Sequence, residues 1–186
     1  MNTTAKQINA YLALTAAALL LVHLCYTVVS YLLFYYHAVI TAVIGHALGA
    51  IVIAHILLSA VNVFGRHDTI SLRTYPRLNI RTILQRVSVL IAILLVPLHL
   101  RTGKAVSART VEESGFRALM VTEILFWGLI LLHIALSLTR AFVTLGWLRS
   151  AQGQKRADRI IWVVCALLFA AAAVVVIRTR VAIFYL

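Results

Sequence analysis

Seven histidines stand in a chain of 186 residues that holds only five acidic side chains. Four of them, His23, His55, His99 and His133, fall one each into four successive apolar runs. An ionisable group is costly inside lipid and faces an interior site where it occurs. No Asp or Glu is expected beside these rings at the membrane centre, which argues against a zinc or di-iron centre of mixed ligands. Imidazole without carboxylate fits a b-type haem, whose iron is gripped by one ring from each of two facing helices. A lone intramembrane histidine is as readily an interhelical hydrogen bond. Four on four successive runs, sorting into two depths, point to haem ligation.

Such rings need helices to carry them. Apolar residues make up 63% of the chain and charged residues 12%, with a mean hydropathy of +1.00. Soluble domains carry roughly a quarter charged residues, so an ordinary soluble domain is excluded. A spanning helix consumes about 20 residues, leaving room for five spans and no soluble catalytic domain. Marking where charges stop draws them at about 8–34, 42–64, 82–101, 117–147 and 159–177. The expected fold is an all-α integral membrane protein, a single domain over 1–186. Four helices form an up-down bundle around the haems, and a fifth supports it. Polar inner loops are expected at 65–81 and 148–158, and a tight hairpin joins the first two spans. Tyr31, Tyr35 and Tyr36 would form an interfacial belt there. The N-terminal MNTTAKQIN precedes an apolar run without a small-residue cleavage site, and reads as part of a retained first span.

Orientation follows from the basic residues, which give a formal net charge of +12. With the N-terminus cytoplasmic, eleven Lys and Arg lie inside and six outside, so the N-in, C-out arrangement is favoured. This excess suits loop anchoring and an acidic or anionic partner better than nucleic acid. Glu112, Glu113 and Glu123 fall on the outer side, as solvated residues or proton-exchange groups. Cys25 and Cys165 lie in apolar runs without a CxxC neighbour, which excludes an iron–sulfur site and covalent haem attachment.

At 1.5 Å per residue from the inner ends, His55 lies about 15 Å deep and His99 about 27 Å, so these two cannot share one haem. His23 and His133 come out near 22 Å and 21 Å, and depth alone leaves two pairings open. In an up-down bundle the diagonals are helix one with three and two with four. That pairs His55 with His133 for an inner haem and His23 with His99 for an outer one. His46 points away from His55, His37 lies in the hairpin near water, and His67 is a loop residue. Gly45, Gly49 and Gly128 would either admit a porphyrin or serve plain helix packing. Arg140, seven residues after His133, and Arg101, two after His99, are candidates for haem propionates or for snorkelling to the interface.

The segment Leu84-Gln85-Arg86-Val87-Ser88, running on to Pro97-Leu98-His99, resembles the third helix of the cytochrome b subunit of succinate:quinone oxidoreductases. These are succinate dehydrogenase and fumarate reductase, and the five-helix, di-haem single-polypeptide type is the best match. Val22-His23-Leu24, Ala54-His55 and His133 fall where that family places ligands, so the resemblance covers nearly the whole chain. It implies a proximal haem on His55 and His133, a distal haem on His23 and His99, and quinone as substrate. It also implies a cytoplasmic iron–sulfur subunit joined to an FAD flavoprotein that carries the dicarboxylate chemistry, so this chain would be an enzyme's quinone-reactive subunit. That partner would dock on Arg66, Arg73, Arg77, Arg81, Arg149, Lys155 and Arg156. The expected location is the bacterial cytoplasmic membrane. Two departures stand out: the first hairpin lacks the carboxylate some members carry near the quinone, and the position of a proton-path glutamate holds Leu131. The alternatives are an anchor of another quinone-linked respiratory enzyme, or a haem-free transporter or assembly protein.

Overall fold

A computed structural model describes residues 3–33, 37–64, 76–108 and 113–184. It comprises α1 (Thr3–Leu33), α2 (Ala38–Phe64), α3 (Pro76–Ala108), α4 (Glu113–Thr144) and α5 (Ala151–Phe184). Each helix includes a stretch long and apolar enough to cross a membrane: Thr4–Ser30, Ala38–Asn62, Ile80–Thr102, Arg117–Thr144 and Ala151–Arg178. The chain is therefore an all-α, five-span membrane protein. Tyr35, Tyr36, Arg66, His67, Arg73, Arg109 and Glu112 lie outside the described residues.

The helices outrun the apolar segments read from the sequence, because charge marks the edge of hydrocarbon and not the end of hydrogen bonding. α3 starts at Pro76 where about 82 was expected, and α5 at Ala151 where about 159 was expected. Lysine and arginine keep their charge in water on long stems, so several helical turns continue into the interface. The supposed inner loop 148–158 is thus mostly helix.

What remains between α4 and α5 is a compact turn. Gly146 adopts φ 76°, the left-handed conformation that ends α4. Its N–H donates to the Val143 carbonyl and that of Trp147 to Phe142, each at 3.0 Å, closing a Schellman motif. The Trp147 ring stacks on Phe142 at 5.7 Å between centroids, the apolar contact that accompanies this cap. Ser150 then opens α5, its Oγ accepting the Gly153 N–H at 3.0 Å. A Cβ on Gly153 would lie 2.9 Å from that Oγ, so glycine is what lets the cap close.

Helices in lipid associate through close packing and hydrogen bonds. Small residues supply the first: Ser88 and Ala92 on α3, Ala135 on α4 and Ala172 on α5 are all buried. Leu131 and Ala135 pack against Ile161 and Cys165, and Leu24 of α1 joins Trp127 and Ala172. The core therefore lies along α4 and α5, with α1 against it. α4 packs on α1, α3 and α5, and α1 also on α2 and α5. Among the described residues no other helix pair comes into close backbone contact. The expected square of sequential neighbours is thus open on its α2–α3 side, and both diagonals, α1 with α3 and α2 with α4, are held apart.

Polar side chains supply the second kind of tie. Arg81 of α3 donates to the Ala135 and Leu136 carbonyls of α4, each at 3.1 Å, and to Asp158 of α5. Thr139 donates to the same carboxylate at 2.9 Å. Ser59 of α2 donates to Asn9 Oδ1 of α1 at 3.2 Å. Arg81, expected on an outward docking face, is instead turned inward, because Asp158 lies within α5 and not in a loop.

Candidate functional site

The outer layer is built where α1, α3 and α4 converge. The His23 and His99 ring centroids lie 6.2 Å apart with their planes at 78°. Two imidazoles sharing one metal at about 2.0–2.1 Å, with each ring centroid ~1.1 Å behind its nitrogen, would lie at most roughly 6.3 Å apart, so His23 and His99 are close enough to hold one group between them. Trp127 stacks on His23 at 6.2 Å and meets His99 edge-on at 6.0 Å, while Phe126 stacks on His99 at 4.5 Å. Both aromatic side chains are buried. Pro97, inside α3, removes one backbone donor two residues before His99.

Glu123 corrects an expectation. Taken from the sequence as an outer-surface residue, it is 7% exposed and accepts from His99 Nδ1 at 2.9 and 3.2 Å. A carboxylate does accompany the intramembrane histidines. Positions 123, 126 and 127 share one face of α4 at helical spacing, so the face that presents Phe126 and Trp127 to the histidines presents Glu123 as well. The carboxylate holds one ring nitrogen of His99 and leaves Nε2 to ligate.

The other two histidines, His55 of α2 and His133 of α4, stand on helices that make no close backbone contact among the described residues. His133 Nδ1 donates to the Gln85 carbonyl of α3 at 3.0 Å, again leaving its other nitrogen for a ligand. Each pair therefore contains one imidazole oriented by an acceptor, the arrangement usual around metal-bound histidine. In each pair the other imidazole, His23 or His55, has a buried Nδ1 with no hydrogen-bond partner. An orphaned buried nitrogen costs about 1–3 kcal/mol. Among the described residues no three His, Cys, Asp or Glu side chains converge as a metal-ligand cluster.

The remaining candidates separate cleanly. Arg140 donates to Gln85 Oε1 at 3.1 Å and to Thr82 Oγ1 at 3.0 Å, which sets its guanidinium between α3 and α4 just inward of His133. Arg101 is exposed, one residue before the end of the α3 span at Thr102. His46 is exposed, with Nδ1 donating to the Ala42 carbonyl at 2.7 Å. His37 caps α2: its Nδ1 accepts the Ile40 N–H at 3.4 Å, and its carbonyl accepts from Thr41 N at 3.0 Å. A Cβ on Gly128 would lie 3.2 Å from the Phe169 ring, which makes Gly128 a packing position against α5. Gly45 and Gly49 face open space. Leu131 belongs to the α4–α5 core, away from the histidine pairs. Cys25 is exposed and Cys165 buried, both as free thiols.

Asp158 and the Phe126–Trp127 face carried no weight in the sequence reading, and Gln85 entered it only through the resemblance. Asp158 sits in a charge run that suggests a loop, although Ser150 is a readable N-cap. Gln85 contributes through its backbone carbonyl, for which sequence offers no signal. No family model matches this chain, and neither the curated proteins nor the solved structures yield a match.

Proposed function

We propose that the chain is the di-haem cytochrome b membrane anchor of a succinate:quinone oxidoreductase, a succinate dehydrogenase or fumarate reductase. It would transfer electrons between a cytoplasmic iron–sulfur subunit, itself joined to an FAD flavoprotein, and membrane quinone. The observation that supports this most is the placing of four intramembrane histidines one to a helix on α1 to α4, with His23 beside His99 at 6.2 Å between ring centroids. His55 and His133 would hold the inner, proximal haem b, and His23 and His99 the outer, distal one. Bound haem supplies reversible one-electron chemistry at iron, which no side chain of this protein offers.

The chain's own residues do the positioning. Gln85 and Glu123 fix the ring orientation of His133 and His99. Phe126, Trp127 and Leu24 keep water from the outer pair. Arg140 at the inner pair and Arg101 near the outer one are the cations placed to meet propionates. Arg149, Lys155 and Arg156, exposed on the α4–α5 turn and the first turns of α5, form the described part of a basic docking face for the iron–sulfur partner. Quinone would react at the outer ends of α1 to α3, beyond the distal haem. The location that goes with these roles is a bacterial cytoplasmic membrane, N-terminus inside and C-terminus outside.

The direct test is a dithionite-reduced minus oxidised spectrum of the purified chain with a haem count. The expected result is b-type absorbance from two haems per chain; a colourless protein overturns the reading. Co-purification of a flavin and iron–sulfur pair supports the succinate:quinone assignment, and a molybdenum or nickel subunit overturns it in favour of another respiratory enzyme.

A further inference from the structure

We infer that Glu123 is the positioning residue of the outer histidine pair, holding His99 through its Nδ1–H and making that imidazole a stronger electron donor to whatever iron it ligates. The inference rests on the haem reading above and concerns only how this chain tunes one of the two sites. A carboxylate 7% exposed inside a membrane bundle carries a desolvation cost of several kcal/mol, which only a close partner offsets. That partner is His99, at 2.9 and 3.2 Å from the two carboxylate oxygens.

Glu123 is one of several polar ties between α3 and α4. Those two helices are already joined by Arg81 to the Ala135 and Leu136 carbonyls, by Arg140 to Gln85 and Thr82, and by His133 to Gln85. All of those bonds lie toward the inner end, while Glu123 stands at the outer histidine layer.

The two layers differ in one respect that bears on redox chemistry. His133 of the inner pair is oriented by a neutral backbone carbonyl, and His99 of the outer pair by a carboxylate. Histidine that donates its second N–H to a carboxylate is a more basic ligand. A negative charge one imidazole away also favours the oxidised state of the metal, whose net charge is higher. Both effects lower the reduction potential of the group held by His23 and His99 relative to the same site without the charge.

The experiment is a spectroscopic redox titration of the purified haem-loaded protein carrying Glu123→Gln, which keeps the volume and an acceptor oxygen and removes the charge. Both haems are expected to remain. The midpoint of one should rise by about tenfold in its one-electron reduction equilibrium, ~59 mV, while the other stays where it was. Repeating the titration in a His55→Ala background, which leaves only the outer pair, should show the same rise. An unmoved midpoint with both haems present overturns the inference while leaving the functional reading intact. A wild-type protein without haem overturns both. Should Glu123→Gln not accumulate in membranes, Glu123→Met, which also removes the charge, decides by the same titration: a positive shift supports the role and an unchanged midpoint overturns it.

Discussion

Arg81 on α3 reaches past the backbone of α4 to the carboxylate of Asp158 on α5, binding three helices through one guanidinium. Its Nη1 lies 3.1 Å from Asp158 Oδ2, and both side chains are 27% exposed. Removing Asp158 would leave a partly buried guanidinium with carbonyl partners only, and would strand Thr139 Oγ1. Asp158→Ala should cost about 1–3 kcal/mol of stability. The double variant with Arg81→Ala should cost less than the two single losses added together. Thermal loss of helical circular dichroism in detergent measures both; simple additivity would show that the pair is not coupled.

Single replacement of each paired histidine should remove one haem and leave the other. His55→Ala and His133→Ala should strip the same, inner haem, and His23→Ala and His99→Ala the same, outer one. A pyridine haemochrome count with potentiometry distinguishes the two classes. Loss of both haems from one substitution, or a class that mixes the layers, would break the diagonal pairing.

The angle between the outer rings has its own spectroscopic reading. With imidazole planes at 78°, axial π-donation falls almost equally on the two iron orbitals that parallel planes would split. The outer haem should therefore give a strongly anisotropic low-spin electron paramagnetic resonance signal, with one g value far above those of a parallel-plane site. It should survive in His55→Ala and vanish in His99→Ala. A rhombic signal of the parallel-plane type would contradict the ring geometry.

Gly146 holds φ 76° at the end of α4. A Cβ there strains the left-handed conformation, so Gly146→Ala should cost about 1–2 kcal/mol. The loss should be confined to the α4–α5 turn, raising amide hydrogen exchange at residues 145–150 while the haem spectrum stays unchanged. Equal exchange in variant and wild type would mean the turn tolerates an L-residue there.

Placing quinone chemistry at the outer side has an energetic corollary. Each electron entering from the cytoplasmic partner would cross most of the membrane dielectric, at about 2.3 kcal/mol per charge per 100 mV. Turnover in proteoliposomes should respond to an imposed potential and to uncoupler. Indifference to both would locate the quinone near the inner face.

Five spans were legible in the sequence because a charge-free run is all that lipid demands of a helix. Their ends were less legible: 151–158 carries Lys155, Arg156 and Asp158, reads as a loop, and is helix. The closeness of His23 and His99 was legible because an up-down bundle sets its first and third helices across from each other. Glu123 was misplaced for an instructive reason. Six residues from Arg117, it looks like part of a polar outer end, yet its helical face is that of Phe126 and Trp127, which is buried. The open α2–α3 side was not legible either, since an up-down bundle implies contact between sequential helices and only the packing of α5 on α1 and α4 shows where the core lies.

The solitary attachment of α2 gives His55 an unusual setting. Among the described residues the only helix in close contact with α2 is α1, whereas the histidine proposed to share a haem with His55 belongs to α4. A prosthetic group spanning that distance would act as a crossbeam, lashing the most weakly moored rod of the assembly to its most firmly moored one. Protein stripped of it should shed protection from proteases and solvent deuterium first along α2, with α4 and α5 the last to yield.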